Sequence, residues 1–399
     1  MSRGSQAEGG QMPDAGAAAP RRYVVAGAGV LGVCLAARLA GAGAEVTLLE
    51  QDRPGRAATR SSFAWLNSND KAPRAYHDLN HAGMRAWAGL AGSLGGAAWY
   101  RPAGNLEWAA TAAGHAELAA RVRRLTGQGY PARLISGAEA VELEPSLRLP
   151  SPAPGVAWFP GEGYLLTEAM VTDLLDRAAG HGAAVLTGPA GQVTGLEAAG
   201  PRAAGWGVRT AAGPVIPADV VVCCAGTQVP RLAALAGAAA PVPLVPWQEP
   251  GAEAPGLVVQ AGPVAAPGLT RMVHAPQVYL RPHAAGLVHL EAPDAAVDLH
   301  TSDGELRRWA GELLDRARRV TGGLDGAAVT GYRVCVRPMP ADGLSIVGWL
   351  PGVPGVYVAV THSGVTLGAH LATLITAELL GGAAPAELAP FRPGRFRAG

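Results

Sequence analysis

Residues 23–32 read YVVAGAGVLG, a short apolar run followed by three glycines in the spacing GxGxxG. The apolar run is typical of a buried parallel strand, and the residues after it follow the pattern of a helix. Each glycine has a steric reason at such a turn. Gly27 allows a tight turn, Gly29 lets a pyrophosphate approach the backbone, and Gly32 lets the helix pack closely on the strand. The stretch therefore predicts a Rossmann-type unit that binds a dinucleotide.

A second strand is predicted over residues 45–49 and ends at Glu50, about 20 residues after the glycines. A carboxylate at this place accepts hydrogen bonds from both ribose hydroxyls and repels a 2′-phosphate, which favours FAD or NAD and leaves the choice between them open. The N–H groups at the start of the first helix complement the phosphates. We expect the nucleotide to contact Gly27, Gly29, Val30, Leu31, Gly32, Glu50 and Gln51.

The composition excludes several classes of protein. The 399 residues include 32 basic and 31 acidic side chains, a balance that argues against nucleic-acid binding. The most apolar stretch, residues 23–37, is too short and too rich in glycine to span a membrane. The length and a hydrophobic content of 49% suggest two domains. We expect no metal site and a reducing, cytoplasmic location, because neither metal-ligand spacing nor a disulfide framework is formed by Cys34, Cys223, Cys224 and Cys335.

The remaining pattern indicates an α/β (α+β) fold in which an α/β region brackets a mainly antiparallel one. Residues 1–20 are small and polar and predict a disordered tail. Helices are predicted over residues 31–40, 76–90, 115–126, 167–179, 304–320 and 363–380. Short strands are predicted within residues 185–225, ending at 220–224, then in a hairpin of 278–281 with 287–290, and at 356–360.

Two further regions carry a family resemblance. The loop at 56–67 reads RAATRSSFAWLN, and the C-terminal region contains RPMPADGLSIVG at 337–348 and GVYVAVTHSGVTLG at 355–368. With the glycine fingerprint, these segments resemble the D-amino-acid oxidase superfamily of FAD enzymes, which includes glycine oxidases and sarcosine oxidases. The resemblance spans about residues 23–382, and it is specific at both ends and loose in the middle.

The resemblance implies a discontinuous, Rossmann-type FAD-binding domain and an interleaved, mainly antiparallel β substrate domain. The first would comprise residues 21–98, 151–234 and 333–396, and the second residues 99–150 and 235–332. FAD would lie extended, with its adenosine at the fingerprint and its ring near the C-terminal motif.

The same resemblance implies further contacts to FAD. The strand ending at Val360 and the helix opening near Ser363 aim backbone N–H groups at one point, where they would stabilise the negative charge of reduced flavin. Capping of that helix by Ser363 or Thr361 is the structural alternative. The implied cofactor contacts are Arg60, Ser61, Ser62, Val193 through its backbone, Ala225, Gly226, Arg337, His362, Ser363, Gly364, Val365 and Thr366.

The reaction implied by the resemblance is oxidation of a C–N bond, in which hydride passes to flavin N5 and an imine forms. Arg337 matches the position that binds the substrate carboxylate in glycine and D-amino-acid oxidases, and its alternative is a structural salt bridge. Tyr279 and Arg281 share one face of the predicted hairpin, where they line the substrate pocket or pack in the sheet. Trp65 and Asn67 lie in the loop expected near the flavin ring.

Two positions depart from sarcosine oxidases. Those enzymes carry a lysine near flavin N5, and its charge helps oxygen to capture an electron. The nearest substitute in this sequence is His289, which would be charged only part of the time. The alternative is that His289 is an ordinary core or surface residue. Cys335 precedes Asp342 by seven residues, the spacing at which sarcosine oxidases attach FAD covalently. A buried, unreactive thiol is the alternative for Cys335.

Lys71 is the single lysine among 32 basic residues. Because lysine has been replaced nearly everywhere else, its retention just after the loop near the flavin indicates a site where arginine cannot serve. We expect Lys71 to help bind the substrate or to position oxygen, with chance retention as the alternative.

Three functional hypotheses follow. The first is an FAD-dependent oxidase or dehydrogenase acting on an amino acid or related amine, with O2 or another electron acceptor. The second is a sarcosine or cyclic imino-acid oxidase of a biosynthetic pathway, with flavin linked to Cys335. The third is a flavin-bearing assembly subunit without turnover of its own. The sequence leaves the oligomeric state open.

Overall fold

The computed structural model of the chain describes residues 21–200, 205–239, 242–266 and 268–396, so the predicted tail at 1–20 lies outside the described residues. The helices there are α1 (Val30–Gly41), α2 (Ala58–Ser61), α3 (Arg74–Ser93), α4 (Ala112–Gly127), α5 (Gly137–Leu143), α6 (Thr167–Gly180), α7 (Val229–Leu235), α8 (Asp303–Val320) and α9 (Gly364–Leu379). Each helix predicted from the sequence is present, with ends that differ by a few residues.

The strands follow the same chain order. They are β1 (Arg22–Ala26), β2 (Glu45–Glu50), β3 (Trp65–Leu66), β4 (Tyr100–Arg101), β5 (Asn105–Glu107), β6 (Arg133–Ile135), β7 (Val156–Phe159), β8 (Gly163–Leu165), β9 (Ala184–Thr187), β10 (Val193–Ala198), β11 (Trp206–Thr210), β12 (Val215–Ala218), β13 (Val220–Cys223), β14 (Pro255–Gly262), β15 (Met272–Ala275), β16 (Val278–His283), β17 (Leu287–Glu291), β18 (Ala328–Val336), β19 (Ile346–Trp349) and β20 (Val356–Val360). The predicted hairpin is formed by β16 and β17, with antiparallel pairing.

A six-stranded sheet holds the fingerprint, in the order β19-β20-β13-β1-β2-β9. All neighbours in it run parallel except β19 and β20. Tyr23 and Val25 of β1 pack with α1 and α9, whereas Val24 and Ala26 pack with residues of β10–β12 on the opposite side. Both faces of β1 are therefore buried, as its uninterrupted apolar run predicts. The Rossmann-type, α/β assignment is confirmed.

An eight-stranded sheet follows the order β18-β14-β17-β16-β15-β5-β7-β6 and is antiparallel except between β15 and β5. One face is apolar: Val259, Leu290 and Leu280 pack there with Leu313 of α8. The opposite face carries polar residues, because strand residues alternate in direction. We call this side the polar face. Across β5, β15, β16 and β17, one row contains Glu107, His274, Tyr279 and Glu291. The next row contains Arg281, His289 and Gln260 across β16, β17 and β14.

The division into two domains stays a prediction. The strands of the two large sheets can be compared with its predicted boundaries. The six-stranded sheet takes its strands from residues 22–50, 184–187, 220–223 and 346–360. In the eight-stranded sheet, β7 begins six residues after the predicted boundary at 150, and β18 runs across the predicted boundary at 332. Among the described residues, none of the helices is both long enough and apolar enough to cross a membrane.

Candidate active site

A cavity opens at the carboxyl ends of β1, β2, β13 and β20, the edge at which open parallel sheets bind ligands. Both sequence motifs line it, although more than 300 positions separate Gly27 from His362. The predicted cofactor residues that line the cavity are Gly27, Gly29, Val30, Leu31, Glu50, Gln51, Ser62, Val193, Ala225, Gly226, Arg337, His362, Gly364 and Val365.

The glycines of the fingerprint are required by close backbone contacts. A Cβ on Gly27 would lie 2.6 Å from Cα of Ala225, and Gly27 has a φ of +104°, which L side chains rarely adopt. A Cβ on Gly32 would lie 1.8 Å from the carbonyl oxygen of Gly27, so Gly32 acts in helix packing and does not line the cavity. Gly29 cannot cap α1 with a side chain, and Thr59 Oγ1 accepts a hydrogen bond of 3.0 Å from the Val30 N–H, so the N–H groups that follow in the first turn are left for a ligand.

Glu50 is held in place by the backbone at the end of β2. Its carboxylate accepts hydrogen bonds from the N–H groups of Ala28 at 2.9 Å and Asp52 at 3.1 Å. Arg231, which the sequence reasoning missed, also lines the cavity and donates two hydrogen bonds of 3.3 Å to the carbonyl oxygen of Val193. The end of the cavity that the sequence assigns to adenosine therefore carries two polar side chains, Glu50 and Arg231, that hydrogen bonds hold in place.

The N-terminus of α9 forms the other end of the cavity. Thr361 Oγ1 accepts a hydrogen bond from the N–H of Ser363, and Ser363 Oγ accepts one from the Tyr76 hydroxyl at 2.9 Å. The helix therefore has no side-chain cap at its start, and its free N–H groups lie beside His362. Burial, with help from nearby Lys71 and Arg337, lowers the pKa of His362 to about 3, so its ring is neutral near pH 7.

Five predicted cofactor residues do not line this cavity. Gly32 packs as described, and Ser363 is buried against Tyr76. Thr366 Oγ1 donates a hydrogen bond to the carbonyl oxygen of Trp65 and thereby ties α9 to β3. Arg60 forms an ion pair with Glu168 of α6, and the neighbouring Ser61 also lies outside the residues that line the cavity.

Arg337 lies where the cavity meets β18. Its Nε donates to the carbonyl oxygen of Ala254 at 2.9 Å, and its Nη2 donates to that of Glu253 at 2.6 Å. Within the described residues, Nη1 makes no hydrogen bond and the guanidinium forms no ion pair. The positive charge is therefore held rigidly by backbone carbonyls, and the salt-bridge alternative is not formed there.

His289 does not carry the positive charge that the sequence suggested. Arg281, buried in the polar face, donates from Nη2 to His289 Nδ1 at 2.8 Å. Burial first, and then the charge of Arg281, lower the pKa of His289 far below its ordinary range. His289 is thus neutral at every physiological pH. Arg281 is the fixed cation here, and it also donates to the carbonyl oxygen of Phe63 and lies 4.9 Å from the Tyr164 ring centre.

Tyr279 belongs to an aromatic stack on the polar face. The His274 ring lies between Tyr279 and Trp65, with centroid distances of 4.3 and 4.2 Å. His274 is buried, neither of its ring nitrogens has a hydrogen-bond partner in the described part of the chain, and burial lowers its pKa to about 3. These three rings form an uncharged aromatic wall, and His274 and Tyr279 belong to the first row of the polar face.

A buried carboxyl group holds this wall in place. Glu162 accepts hydrogen bonds from the Tyr130 hydroxyl at 2.7 Å, Trp65 Nε1 at 2.8 Å and Asn105 Nδ2 at 3.0 Å. Burial raises the pKa of Glu162 to about 8. The sequence offered no signal for this cluster, because Trp65 and Glu162 are 97 positions apart.

The loop from β3 to α3 carries Asn67 and Lys71. The N–H of Asn67 donates to Thr366 Oγ1 at 3.4 Å, which places the start of the loop against α9. Lys71 is close enough to His362 for its charge to lower the pKa of that ring. Arg337 lines the cavity and Lys71 does not, but the charges of both lower the pKa of His362.

Cys335 also lines the cavity, with Sγ 3.7 Å from the carbonyl oxygen of Ala58. Burial raises the pKa of its thiol to about 12. All four cysteines belong to the described part of the chain, where each is buried and none is in a disulfide. The described residues contain no group of His, Cys, Asp and Glu side chains arranged to hold a metal ion.

The comparison with known proteins agrees with these motifs. The model of the DAO family, FAD dependent oxidoreductase, matches residues 22–378. The chain belongs to this family. It is therefore an FAD-dependent oxidoreductase, and the bare helix N-termini and the fixed Glu50 carboxylate that line the cavity suit the diphosphate and the ribose of FAD.

The individual relatives and structures share less than a third of their residues with this chain. The chain is 29% identical to the tRNA 5-methylaminomethyl-2-thiouridine biosynthesis bifunctional protein MnmC of Ralstonia nicotianae over 94% of this chain, but it spans only 60% of that protein. It is 25% identical to the uncharacterized oxidoreductase YurR of Bacillus subtilis, over 94% of this chain and 98% of that one. Glycine oxidase from Geobacillus kaustophilus shares the fold, with a TM-score of 0.79, 22% identity and coverage of 95% and 100%.

Proposed function

We propose that this enzyme oxidises the C–N bond of an amino acid or a related amine to an imine, with O2 as the electron acceptor. The observation that carries the proposal is Arg337, a rigid cation without a carboxylate partner in the described residues, at the point where the FAD cavity meets the polar face. FAD, when bound, supplies the two-electron chemistry by accepting hydride at N5.

The chain's own residues would bind and orient the substrate. Arg337 would hold the substrate carboxylate, because a planar guanidinium matches two carboxylate oxygens. Tyr279, with the aromatic wall behind it, would exclude water from the reacting carbon. The uncapped N-terminus of α9 would favour the negative charge that reduced flavin carries.

The named relatives support a C–N bond as the target, and they suggest a second substrate. One is a glycine oxidase, and another takes part in forming a methylaminomethyl group on tRNA. A nucleotide in tRNA would need a basic surface, and this chain has 32 basic against 31 acidic residues. A free amino acid therefore suits the chain better than tRNA.

Anaerobic reduction of the flavin tests the proposal. The purified holoenzyme is mixed with glycine, sarcosine, L-proline, D-alanine, iminodiacetate or tRNA, and loss of the oxidised-flavin absorbance is recorded. We expect at least one free amino or imino acid to reduce the flavin, and hydrogen peroxide to form when air is admitted. Reduction without peroxide would identify a dehydrogenase, and a flavin that no compound reduces would favour an assembly subunit.

A matched pair of variants tests the role of Arg337. Arg337→Lys should raise KM for the carboxylated substrate by about tenfold or more, because a bidentate contact is lost. Arg319→Lys, at an exposed site near the end of α8, should leave KM unchanged. An unchanged KM in Arg337→Lys would remove Arg337 from substrate binding.

A further inference from the structure

Glu291 is a carboxylate on the polar face that the proposed function leaves without a role. It ends β17, and its register partners are Tyr279 on β16 and Val258 on β14, which places it in the first row of the polar face. The side chain is only partly exposed. Within the described residues it makes no hydrogen bond and no ion pair, so its carboxylate keeps its bonding capacity for a ligand.

Two arginines act on the charge of Glu291, one on the neighbouring strand β16 and one after β18, which lies two strands away. Arg281 on β16, and Arg337 directly after β18, both attract its carboxylate, whereas burial disfavours the charged form. The balance raises the pKa of Glu291 to about 7. The other titratable or polar groups near it are Tyr279 on β16, His289 on its own strand, Gln260 on β14, and Cys335 and Arg333 on β18.

A structural ion pair with Arg337 does not account for this residue. Arg337 donates to the backbone carbonyls of Glu253 and Ala254 and makes no hydrogen bond to Glu291. Arg337 Cζ lies over Gly256 of β14, 3.8 Å from where a Cβ would stand, and Gly256 is two residues from Val258, the register partner of Glu291. The two charged groups therefore lie on the same face of the sheet and attract each other, yet each keeps bonding capacity for a third group. A zwitterion offers that group, with a carboxylate for Arg337 and an ammonium for Glu291.

The chemistry of amine oxidation gives such a carboxylate a role near neutral pH. Near neutral pH a primary or secondary amine is mostly an ammonium, which has no lone pair from which a C=N bond can form. One N–H bond must therefore break before the hydride leaves the carbon. A carboxylate that is about half ionised at the working pH is suited to take that proton.

We propose that the Glu291 carboxylate binds the substrate ammonium group and accepts one of its protons. The N–H bond breaks, an O–H bond forms on Glu291, and the electron pair left on nitrogen becomes the π bond of the imine as hydride passes from carbon to FAD. This inference rests on the proposed function and narrows its substrate class to zwitterionic amino or imino acids bound between Arg337 and Glu291.

The pH dependence of flavin reduction tests the proposal. Anaerobic stopped-flow measurements from pH 5.5 to 10, with the best substrate of the panel, compare the wild type with Glu291→Gln, Glu291→Asp and the exposed control Glu142→Gln. We expect the second-order rate constant of the wild type to rise through pH about 7. Glu291→Gln should lose about a hundredfold at pH 7 and recover as the pH approaches the pKa of the free amine.

Two comparisons guard against misfolding: the rates of the Glu291→Asp variant, and the amount of FAD that each purified variant binds. Glu291→Asp should keep the rise near neutral pH at a lower rate, and Glu142→Gln should match the wild type throughout. A Glu291→Gln profile identical to the wild type, or one lowered by the same factor at every pH, would overturn the proposal. A wild type that no amine reduces would instead overturn the proposed function, and this inference with it.

Discussion

Lys71 and Arg337 act on the same ring from two parts of the chain, and they differ in what can replace them. Arg337 is fixed by backbone carbonyls, whereas Lys71 has no ion pair within the described residues and lies in the loop before α3. A compact ammonium on a flexible stem can approach a small ligand in ways that a planar guanidinium cannot. Neither the neutral His289 nor the neutral His362 supplies a cation at this end of the site.

We therefore expect Lys71→Arg to lower kcat/KM by about tenfold, because the charge is kept but its geometry is lost. Steady-state kinetics with the best amine of the panel measure the effect. Arg74→Lys, the reverse exchange at an exposed position three residues further on, is the control and should not change kcat/KM. An unaltered kcat/KM in Lys71→Arg would mean that the single lysine was retained by chance.

Cys335 lies at the right place for a covalent flavin, but its thiol is in the wrong state for attack. The thiolate is the reactive form of cysteine, and burial raises the pKa of Cys335 to about 12. We expect acid precipitation of the holoenzyme to leave all of the yellow colour in the supernatant, and Cys335→Ser to bind as much FAD as the wild type. Colour that remains in the wild-type pellet and is absent from the Cys335→Ser pellet would establish the covalent link.

At the scale of elements, the approach of α3 to α9 positions the end of the cavity. Gly83 of α3 faces the first turns of α9, and a Cβ there would lie 2.4 Å from the carbonyl oxygen of Thr366. Trp87, one turn further along α3, donates a hydrogen bond of 2.7 Å to the carbonyl oxygen of Val365. The position of the α9 N-terminus, and so of His362, therefore depends on a helix contact that allows no side chain at residue 83.

We predict that Gly83→Ala destabilises the protein by about 1–3 kcal/mol, because α3 must move away from α9. Gly89→Ala is the matched control in the same helix: its Cβ would meet no atom within 4 Å, and it should stabilise by about 0.5–1 kcal/mol through helix propensity. Urea unfolding of both variants measures the difference. Equal stabilisation by both substitutions would contradict the close contact.

Elements were predictable from the sequence where the signal is local. Helix periodicity, the fingerprint and the β16–β17 hairpin all depend on residues that are neighbours in the chain. The neutral state of His289 could not be predicted from the sequence, because it depends on a hydrogen bond from Arg281 on the paired strand. The charge of such a side chain depends on which residue of the neighbouring strand lies opposite it, and the sequence of one strand does not identify that residue.

At the scale of the whole molecule, the site is assembled where the two large sheets meet. The six-stranded sheet contributes the fingerprint and α9, while β18 of the eight-stranded sheet contributes Cys335 and leads into Arg337. Such a site joins segments from nearly the full length of the chain. Only the segments with a family resemblance could be assigned beforehand, and the polar face could be assembled only from the register of its strands.

Glu162 joins Trp65 of β3 to Asn105 of β5, and it makes the stability of the molecule depend on pH. Its pKa is raised from 4.5 to about 8, so between these values the folded chain keeps a proton that the unfolded chain releases. Folding stability should therefore fall as the pH rises from 5 to 8.

Glu162→Gln, which mimics the protonated form, should flatten that slope and be more stable than the wild type at pH 8 by at least about 1.4 kcal/mol, the equivalent of one pKa unit. Urea unfolding at pH 5, 6, 7 and 8, with Glu142→Gln as the exposed control, measures the slopes, and parallel slopes for the wild type and Glu162→Gln would show that Glu162 is ionised in the folded protein.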